Sequence, residues 1–407
     1  MRLLHTSDWH LGHNLFGRKR TEEFNAFLSW LKNLMNEKGV DVLLVSGDIF
    51  DTTTPSNQAQ ELYYEFLSSV GSQTSCQRVF ITAGNHDSAS FIEAPKTILK
   101  SLKVDVIGAM TENPADEVFE VCDADGRQQL IVCAVPYLRE KDLRRAKQGE
   151  DVQEREKRTL KAIREHYKAV SDVALAKRTT TNVPIIEMGH LYVSGSITKE
   201  RLMGEPDPVY VGSLGQVPSD IFSPQASYVA LGHIHMPQKV GGSEKIQYSG
   251  APLPMSFAEA DNLKRVVLLD INEKGEITSE SVGVPMFQEL IQIKGDWETI
   301  DQQIQALKER ESSAWLEVIY DSGVVMGDLR NQVLELVQGS ALEVLRIKNK
   351  QVIQEALSHS KTQKELEQLT PQEVFDLCLK ENNVAEDQWE NLREKYQTIL
   401  DEVNTVE

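Results

Sequence analysis

The sequence lacks the features that mark exported and membrane-spanning chains. No stretch reaches about 18 consecutive uncharged apolar residues, the length that a transmembrane helix requires. The first residues also lack a basic segment followed by an apolar one. We therefore expect a chain that neither spans a membrane nor passes through the Sec pathway, and that has no membrane partner.

Cysteine is scarce and shows no pattern. The 407 residues include four cysteines, Cys76, Cys122, Cys133 and Cys378, and no two of them form a C-x-x-C pair. We interpret them as buried small hydrophobic residues in a reducing cytoplasm rather than as disulfides or thiolate metal ligands. A metal site in this chain would therefore use oxygen and imidazole ligands.

Basic residues are fewer than acidic ones. The net charge of −19 argues against a protein that coats nucleic acid non-specifically through its overall surface charge. Residues 139–168 are an exception, with 11 Lys or Arg against 7 Asp or Glu, and form either a track for a polyanion or a solvated helix face. Residues 351–407 carry 5 basic against 13 acidic side chains. No G-x-x-x-x-G-K-[ST] phosphate loop occurs, so we expect no ATP site of this type.

Apolar periodicity predicts an α/β fold. Strand-like and helix-like segments alternate from residue 1 to about 110, which indicates βαβ units with parallel strands. The first helix, over residues 20–39, has apolar side chains at helical spacing and Gly39 where a C-terminal cap would stand. Further along the chain we predict a single helix over 93–103, a hairpin around Asp125-Gly126, a basic helix over 140–178, and strands at 184–189, 226–232, 245–250 and 265–271. These elements predict two packed mixed β-sheets flanked by helices.

A second unit is predicted after residue 282. Residues 287–350 follow a β-α-β-α-β pattern, and beyond residue 350 only helix is predicted. The predicted domains are therefore 1–282, 283–350 as a small α+β domain, and 351–407 as a C-terminal helical arm.

Five segments share one arrangement, an apolar strand followed by Gly or Ser and then by side chains that can bind metal: "LLHTSDWH", "LLVSGDIFD", "VFITAGNHD", "IIEMGH" and "YVALGHIH". The loops that follow parallel strands gather at one edge of a sheet. We therefore expect these loops to line one pocket, with the following candidates: Asp8, His10, Asp48, Asn85, His86, Asp87, His190, His233 and His235.

Carboxylate, amide and imidazole groups in this mixture are typical of phosphate ester hydrolysis with two metals. Two divalent ions roughly 3.5–4 Å apart polarise a phosphoryl oxygen and lower the pKa of a water between them. One aspartate shared by both ions would hold that distance. These ligands suit manganese, iron or zinc better than magnesium or calcium.

The motifs D-x-H, G-D, G-N-H-D, G-H and G-H-x-H, in this order, resemble those of the calcineurin-like metallophosphoesterases. The stretches "LLHTSDWHLG", "SGDIFDTTTPS", "AGNHDS", "VPYLR", "ALGHIH" and "YSGAPLPMSFAE" further resemble the SbcD family, the nuclease subunits that act with SbcC-type ATPases in bacteria. The resemblance is dense from residue 1 to about 265 and looser beyond.

This resemblance implies a nuclease that cuts single-stranded DNA internally and, with its ATPase partner, digests duplex ends and cleaves hairpins in DNA repair. It implies two divalent ions, Mn²⁺ first among them, and a DNA substrate. It also implies a possible homodimer within a heterotetramer, and a location in the bacterial cytoplasm in association with the nucleoid. The domain over 283–350 would cap the metal cleft and select DNA.

The resemblance also implies a role for each motif residue. Three side chains would bind each ion, namely Asp8, His10 and His235 the first, and Asn85, His190 and His233 the second. Asp48 would bridge the two ions. His86 would protonate the leaving oxygen or stabilise charge in the transition state, and Asp87 would orient its imidazole. Archaeal relatives have a second pocket histidine where this chain has Asp51, so no histidine role is assigned there.

The remaining histidines receive separate interpretations. We interpret His5, inside the first strand, as structural. His13 either faces DNA or is an ordinary exposed loop residue. His166 and His359 lie in charged helical segments and are expected at the solvated surface.

Two other functions compete with the nuclease. A phosphomonoesterase of the same scaffold would clamp a phosphate dianion with arginines, and "GDIFDTTTP" and "TAGNHDS" contain none. A binding scaffold that has lost its metals would lack ligands, but every ligand type is present.

Residues 370–407 are predicted to be a docking arm for the SbcC-type ATPase. Thr370 to Glu373 has the form of a capping box with proline at the first helical position. Two short helices with apolar stripes would follow, and such helices are marginal alone. The alternative is that they pack onto this chain's own body.

Overall fold

The computed structural model describes residues 1–143, 152–197, 216–322, 326 and 328–349, and the single positions 379, 389, 392, 393 and 396. The rest of the predicted C-terminal arm, with His359 and Cys378, lies outside the described residues. The chain divides into two compact units between Ile291 and Gln292. Among the described helices, none combines the length and apolar character needed to cross a membrane.

The strands of the first unit are, in chain order, β1 (Arg2–Thr6), β2 (Asn14–Leu15), β3 (Arg18–Lys19), β4 (Val42–Ser46), β5 (Arg78–Thr82), β6 (Val104–Ile107), β7 (Val118–Cys122), β8 (Gln128–Ala134), β9 (Ile185–His190), β10 (Tyr228–Gly232), β11 (Gln238–Lys239), β12 (Ile246–Tyr248), β13 (Arg265–Ile271) and β14 (Ile277–Gly283). Its helices are α1 (Thr21–Lys38), α2 (Asn57–Gln73), α3 (Ala89–Glu93), α4 (Lys96–Ser101), α5 (Glu140–Leu143) and α6 (Val152–Lys177).

Two six-stranded mixed sheets form the centre of this unit. Their strand orders are β14-β13-β1-β4-β5-β6 and β11-β12-β10-β9-β8-β7. Strands β1, β4, β5 and β6 are parallel to one another, as are β8, β9, β10 and β12, and the other strands pair antiparallel. The prediction of two packed mixed sheets is confirmed.

Each sheet is covered on both faces, which explains its long apolar runs. Leu44 and Phe80 of the first sheet join Met188 and Ala230 of the second in one buried cluster. On the outer side of the first sheet, a second cluster unites strand residues with α1 and α2, and a third unites the other sheet with α6. The result is a four-layered α/β/β/α arrangement.

Helix α1 shows why the periodicity argument succeeds. Its buried side chains Phe24, Phe27, Leu28, Leu31, Leu34 and Met35 follow the predicted spacing. Gly39 ends the helix in the left-handed conformation with φ 63°, and its amide faces the carbonyls of Met35 and Asn36.

Several local predictions need correction. The single helix expected over 93–103 is broken into α3 and α4, because Pro95 cannot continue a helix. The hairpin of β7 and β8 exists, but its loop spans Asp123 to Arg127, and the Asp123 carboxylate accepts bonds from the amides of Asp125 and Arg127. Cys122 is exposed rather than buried, unlike Cys76 and Cys133.

His166 is another correction, because it is 9% exposed and not part of the solvated surface. Its Nε2 lies 2.9 Å from Oε2 of the buried Glu117. The ring occupies the buried face of α6 together with Ile163, Tyr167 and Val170.

The second unit follows the predicted order of elements. They are β15 (Leu290–Gly295), whose first two residues precede the division between the units, α7 (Trp297–Glu309), β16 (Trp315–Tyr320), α8 (Leu329–Val337) and β17 (Glu343–Asn349). The strands form one sheet in the order β15-β16-β17, with β16 and β17 parallel. The side chain of Asp296 caps α7 by accepting a bond from the amide of Thr299.

Candidate metal centre

The candidate residues follow the carboxyl ends of five parallel strands. Strands β1, β4 and β5 lead into the segments with Asp8, Asp48 and Asn85, while β9 ends at His190 and β10 leads into His233. The backbone joins the two sheets here, because the amide of His233 donates a 2.8 Å hydrogen bond to Oδ1 of Asp8. Side chains from both sheets therefore meet in one cluster.

The backbone of this cluster is strained. Asp8, His10, Asp48 and His233 have φ values of 53°, 48°, 49° and 101°, in the left-handed region that non-glycine residues rarely adopt. Each such residue costs of order 1–3 kcal/mol and persists where its surroundings enforce it, often at a functional site.

Glycines allow the close approach of these loops. A Cβ atom on Gly84 would collide with Oδ1 and the backbone nitrogen of Asp48, and one on Gly232 would collide with the carbonyl oxygen of Ser46. The Gly in the motifs G-N-H-D and G-H-x-H is therefore required by packing.

One group of potential metal ligands consists of Asp8, His10 and His235, whose ligand atoms all lie within 4.8 Å of one another. The Nε2 atoms of His10 and His235 are 3.1 Å apart. Asp8 is held by Ser7, whose hydroxyl donates to Oδ2, and by the amide of His233.

A second group consists of Asp48, His190 and His233, also within 4.8 Å of one another. Asn85 belongs with it, because its Oδ1 lies 3.1 Å from Nε2 of His190 and 2.9 Å from Nδ1 of His233. Tyr137 packs at the side of this group, with its ring centroid 6.4 Å from that of His233.

Asp48 lies between the two groups. Its Oδ2 is 3.2 Å from Nε2 of His190 in the second group and 3.6 Å from Nε2 of His10 in the first. One carboxylate therefore faces ring nitrogens of both groups.

Hydrogen-bond partners outside the cluster determine which nitrogen of each histidine ring is available to bind a metal ion. Nδ1 of His190 lies 2.9 Å from the carbonyl oxygen of Ser46, and Nδ1 of His235 lies 3.2 Å from Oε1 of Glu259. Because these oxygens only accept, both Nδ1 atoms carry the proton and both Nε2 atoms face the cluster. Lys264 in turn pairs with Glu259.

Glu259 is a site residue to which the sequence arguments gave no role. It is 6% exposed and lies at the end of the stretch "YSGAPLPMSFAE". The only signal was its position inside a motif that carries the family resemblance.

The Asp48 carboxylate and burial together determine the protonation of this cluster. Burial would lower the pKa of His190, but the neighbouring Asp48 carboxylate raises it to about 9. Burial would raise the pKa of Asp48, but His190 and His10 hold it well below its usual range. Burial lowers the pKa of His233 to about 3, so this ring is neutral at physiological pH.

The expected contact between Asp87 and His86 is not formed. Asp87 is 1% exposed, and its carboxylate accepts bonds from the backbone amides of Gly84, Ile49 and Phe50. Nδ1 of His86 instead lies 3.0 Å from the carbonyl oxygen of Asp51. Asp87 therefore connects the G-D loop to the G-N-H-D loop and does not orient the imidazole.

Two further histidines flank this region. His5 is fully buried, with its ring nitrogens 3.1 Å from the hydroxyl of Tyr228 and 3.2 Å from the carbonyl oxygen of Leu231, which confirms its structural role. His13 is partly buried and contacts Oδ1 of Asp51.

Comparison with known proteins identifies the family of this chain. A family model described as calcineurin-like phosphoesterase matches residues 1–237, and one described as type 5 capsule protein repressor C-terminal domain matches residues 286–383. A relative from Escherichia coli K12, named as the SbcD component of the SbcCD nuclease, is 31% identical over 402 residues, with 98% of each chain covered. This chain belongs to the SbcD family.

Two other relatives with the same name support this assignment. A relative of the same name from Rhodobacter capsulatus is 36% identical over 278 residues, which are 67% of this chain and 66% of that one. One from Bacillus subtilis is 31% identical over 325 residues, 78% of each chain. A solved structure of the AHE enzyme from Alicyclobacillus herbarius aligns over 85% of this chain and 86% of its own at 10% identity, but its TM-score of 0.21 is too low for a comparison of folds.

Proposed function

We propose that this chain is a metal-dependent DNA nuclease subunit that hydrolyses phosphodiester bonds with two divalent ions. The observation that carries this proposal is the position of Asp48, whose Oδ2 faces Nε2 of His190 at 3.2 Å and Nε2 of His10 at 3.6 Å. A carboxylate between two clusters of ligand atoms is what a two-metal hydrolase requires.

The donor atoms fit such ions. Asp8, His10 and His235 would hold one ion, and Asn85, His190 and His233 the other, with Asp48 bridging. All are oxygen or imidazole ligands, and the ring nitrogens that face the cluster on His190 and His235 are the unprotonated ones when the rings are neutral. This donor set supports Mn²⁺, Fe²⁺ or Zn²⁺, of which we propose Mn²⁺.

The chain's own residues would orient the substrate and move the proton. When bound, the two ions supply Lewis-acid polarisation of the scissile phosphate and a hydroxide near neutral pH. His86 is exposed, and its Nδ1 donates to the carbonyl of Asp51, which leaves Nε2 for the substrate. Protonated at Nε2, His86 would transfer that proton to the oxygen that leaves as the phosphorus–oxygen bond breaks.

The arginines support a diester substrate over a phosphomonoester. Arg139 donates to the backbone carbonyls of Asp87 and Gly108, and Arg20 binds Glu23 and the carbonyl of Pro254. A phosphate dianion is ordinarily clamped by arginine side chains, whereas a DNA diester carries one charge and needs no such clamp.

Several finer parts of the proposal follow from the family. We propose an SbcC-type ATPase as the partner, docked on residues 370–407, and a homodimer within a heterotetramer. We also propose that residues 283–350 select DNA, and that the protein works in the bacterial cytoplasm near the nucleoid.

One assay tests the central proposal. The purified full chain with Mn²⁺ is given plasmid-length single-stranded DNA, linear duplex, p-nitrophenyl phosphate and a phosphoserine peptide in parallel. We expect internal cleavage of the single strand without any partner and poor hydrolysis of the peptide. Rapid dephosphorylation of the peptide with intact DNA would assign the chain to the phosphatases instead.

A further inference from the structure

Asp51 and His13 lie beside the metal centre but outside its proposed ligands. Oδ1 of Asp51 is 3.0 Å from Nδ1 of His13 and 3.4 Å from Nδ1 of His10. Nε2 of His13 is 3.2 Å from the carbonyl oxygen of Met255. The side chains of Asp51 and His13 are 28% and 21% exposed, so solvent only partly screens the pair.

His10 needs an acceptor on its outer nitrogen. Its Nε2 faces the cluster, and its buried Nδ1 has no hydrogen-bond partner within the described part of the chain. A histidine that binds metal through one nitrogen ordinarily donates its other N–H to an oxygen, which orients the ring. His190 and His235 have such oxygens in Ser46 and Glu259, and the carboxylate beside His10 is that of Asp51.

His13 fixes the position of that carboxylate. Both of its ring nitrogens lie within hydrogen-bond distance of oxygens that only accept, Oδ1 of Asp51 and the carbonyl oxygen of Met255. Its second contact reaches Met255, whose amide lies 3.3 Å from Oε2 of Glu259. The segment Met255–Glu259 thus supports both His10, through Asp51 and His13, and His235 directly.

We propose that Asp51 is a positioning residue for the metal ligand His10, and that His13 acts by holding Asp51. This rests on the proposed two-metal function. The backbone carbonyl of Asp51, rather than its side chain, contacts His86. Replacing the side chain should therefore disturb metal binding at the first group and leave the contact of the proposed proton donor in place.

The test measures Mn²⁺ binding to the full chain by calorimetry, for the original sequence, Asp51→Ala, His13→Phe and the double variant. Asp51→Ala removes the oxygen that both histidines face, so it should weaken one of two Mn²⁺ sites by about 10- to 100-fold, the usual effect of losing such an outer partner, and leave the other unchanged. The double variant should bind no more weakly than Asp51→Ala, because His13 acts through Asp51. Asp172→Ala, which breaks an exposed pair with Lys168, is the matched control.

Nuclease activity gives a second measurement. For Asp51→Ala, the Mn²⁺ concentration for half-maximal cleavage should rise, whereas the rate at saturating Mn²⁺ should stay within a few-fold of the original. Unchanged affinity at both sites, or additive losses in the double variant, would overturn the proposal. Failure of the original chain to cut DNA would instead refute the proposed function.

Discussion

The backbone amide of His86 donates a 2.9 Å hydrogen bond to Oδ1 of Asp48. This bond places an exposed imidazole next to the carboxylate proposed to bridge the ions. The imidazole itself belongs to neither of the two groups of potential ligands described above. Metal binding and proton transfer should therefore be separable by mutation.

We expect Asp48→Ala to lower the content of bound Mn²⁺ and to abolish DNA cleavage, because both ions lose a ligand. His86→Ala should keep both ions and still lose at least about 100-fold in cleavage rate, the scale of one general acid. Metal analysis of the purified variants, alongside single-strand cleavage, makes the comparison. Near-normal cleavage by a fully metal-loaded His86→Ala chain would remove His86 from the mechanism.

A methyl group on Gly84 should damage the same site through packing alone. Its Cβ would overlap Oδ1 of Asp48, so Gly84→Ala must push the proposed bridging carboxylate or its own loop aside. We expect a loss of Mn²⁺ affinity together with a destabilisation of about 1–3 kcal/mol, as for other overpacked sites.

Gly283→Ala is the control for this change, because a Cβ there meets no atom within 4 Å. Calorimetric Mn²⁺ binding and denaturant unfolding of both variants give the answer. If Gly84→Ala bound Mn²⁺ as tightly as Gly283→Ala, the close approach of Gly84 to Asp48 would have no effect on metal binding.

The proposed docking arm makes a prediction about assembly. Deleting residues 366–407 should leave Mn²⁺-dependent cleavage of single strands intact, because the proposed metal ligands all precede residue 236. Co-purification with an SbcC-type ATPase, and ATP-stimulated digestion of duplex ends, should be lost. A truncated chain that unfolds, or one that still assembles at full affinity, would show that the arm belongs to the core.

The sequence predicts much of the first unit because its signals are local. Apolar spacing and Gly39 define α1, and ligand-type residues after apolar strands locate the cluster, since parallel strands bring their carboxyl ends to one edge. The hydrogen-bond partners of buried polar side chains are not predictable from such local signals. Glu259 meets His235 across 24 residues and Asp87 meets Ile49 across 38, and such pairings depend on how distant loops pack.

The burial of His166 agrees with its position on helix α6. It lies three and four residues from Ile163 and Val170 and next to Tyr167, so helical spacing places it on the apolar stripe of α6. The charged residues around it in the sequence suggest exposure. In the structure, however, the ring is buried against Glu117, which lies 49 residues away in the sequence. Periodicity was here a better guide to burial than residue type.

Glu187 should make stability depend on pH. It lies in β9 and is 1% exposed, with Oε1 bonded to the hydroxyl of Ser171 and Oε2 3.2 Å from the amide of Ser223. Burial raises the pKa of this carboxyl from 4.5 to about 7. The folded chain therefore retains the proton at pH values where the unfolded chain has lost it.

The sign of the effect follows from this difference. Below pH 4.5 both states are protonated and the folded state is favoured most, and this contribution is lost as the pH rises to about 7. A pKa shift from 4.5 to about 7 corresponds to a loss of about 3 kcal/mol.

The variant Glu187→Gln tests this pH dependence, because its side chain keeps an acceptor for Ser171 but cannot ionise. The free energy of unfolding of this variant should vary less between pH 5 and 8 than that of the original chain. Urea unfolding of the metal-free proteins measures this, with the exposed Glu273→Gln as control. Parallel pH profiles for the original chain and Glu187→Gln would mean that Glu187 has the same pKa in both states and that its burial carries no linked proton.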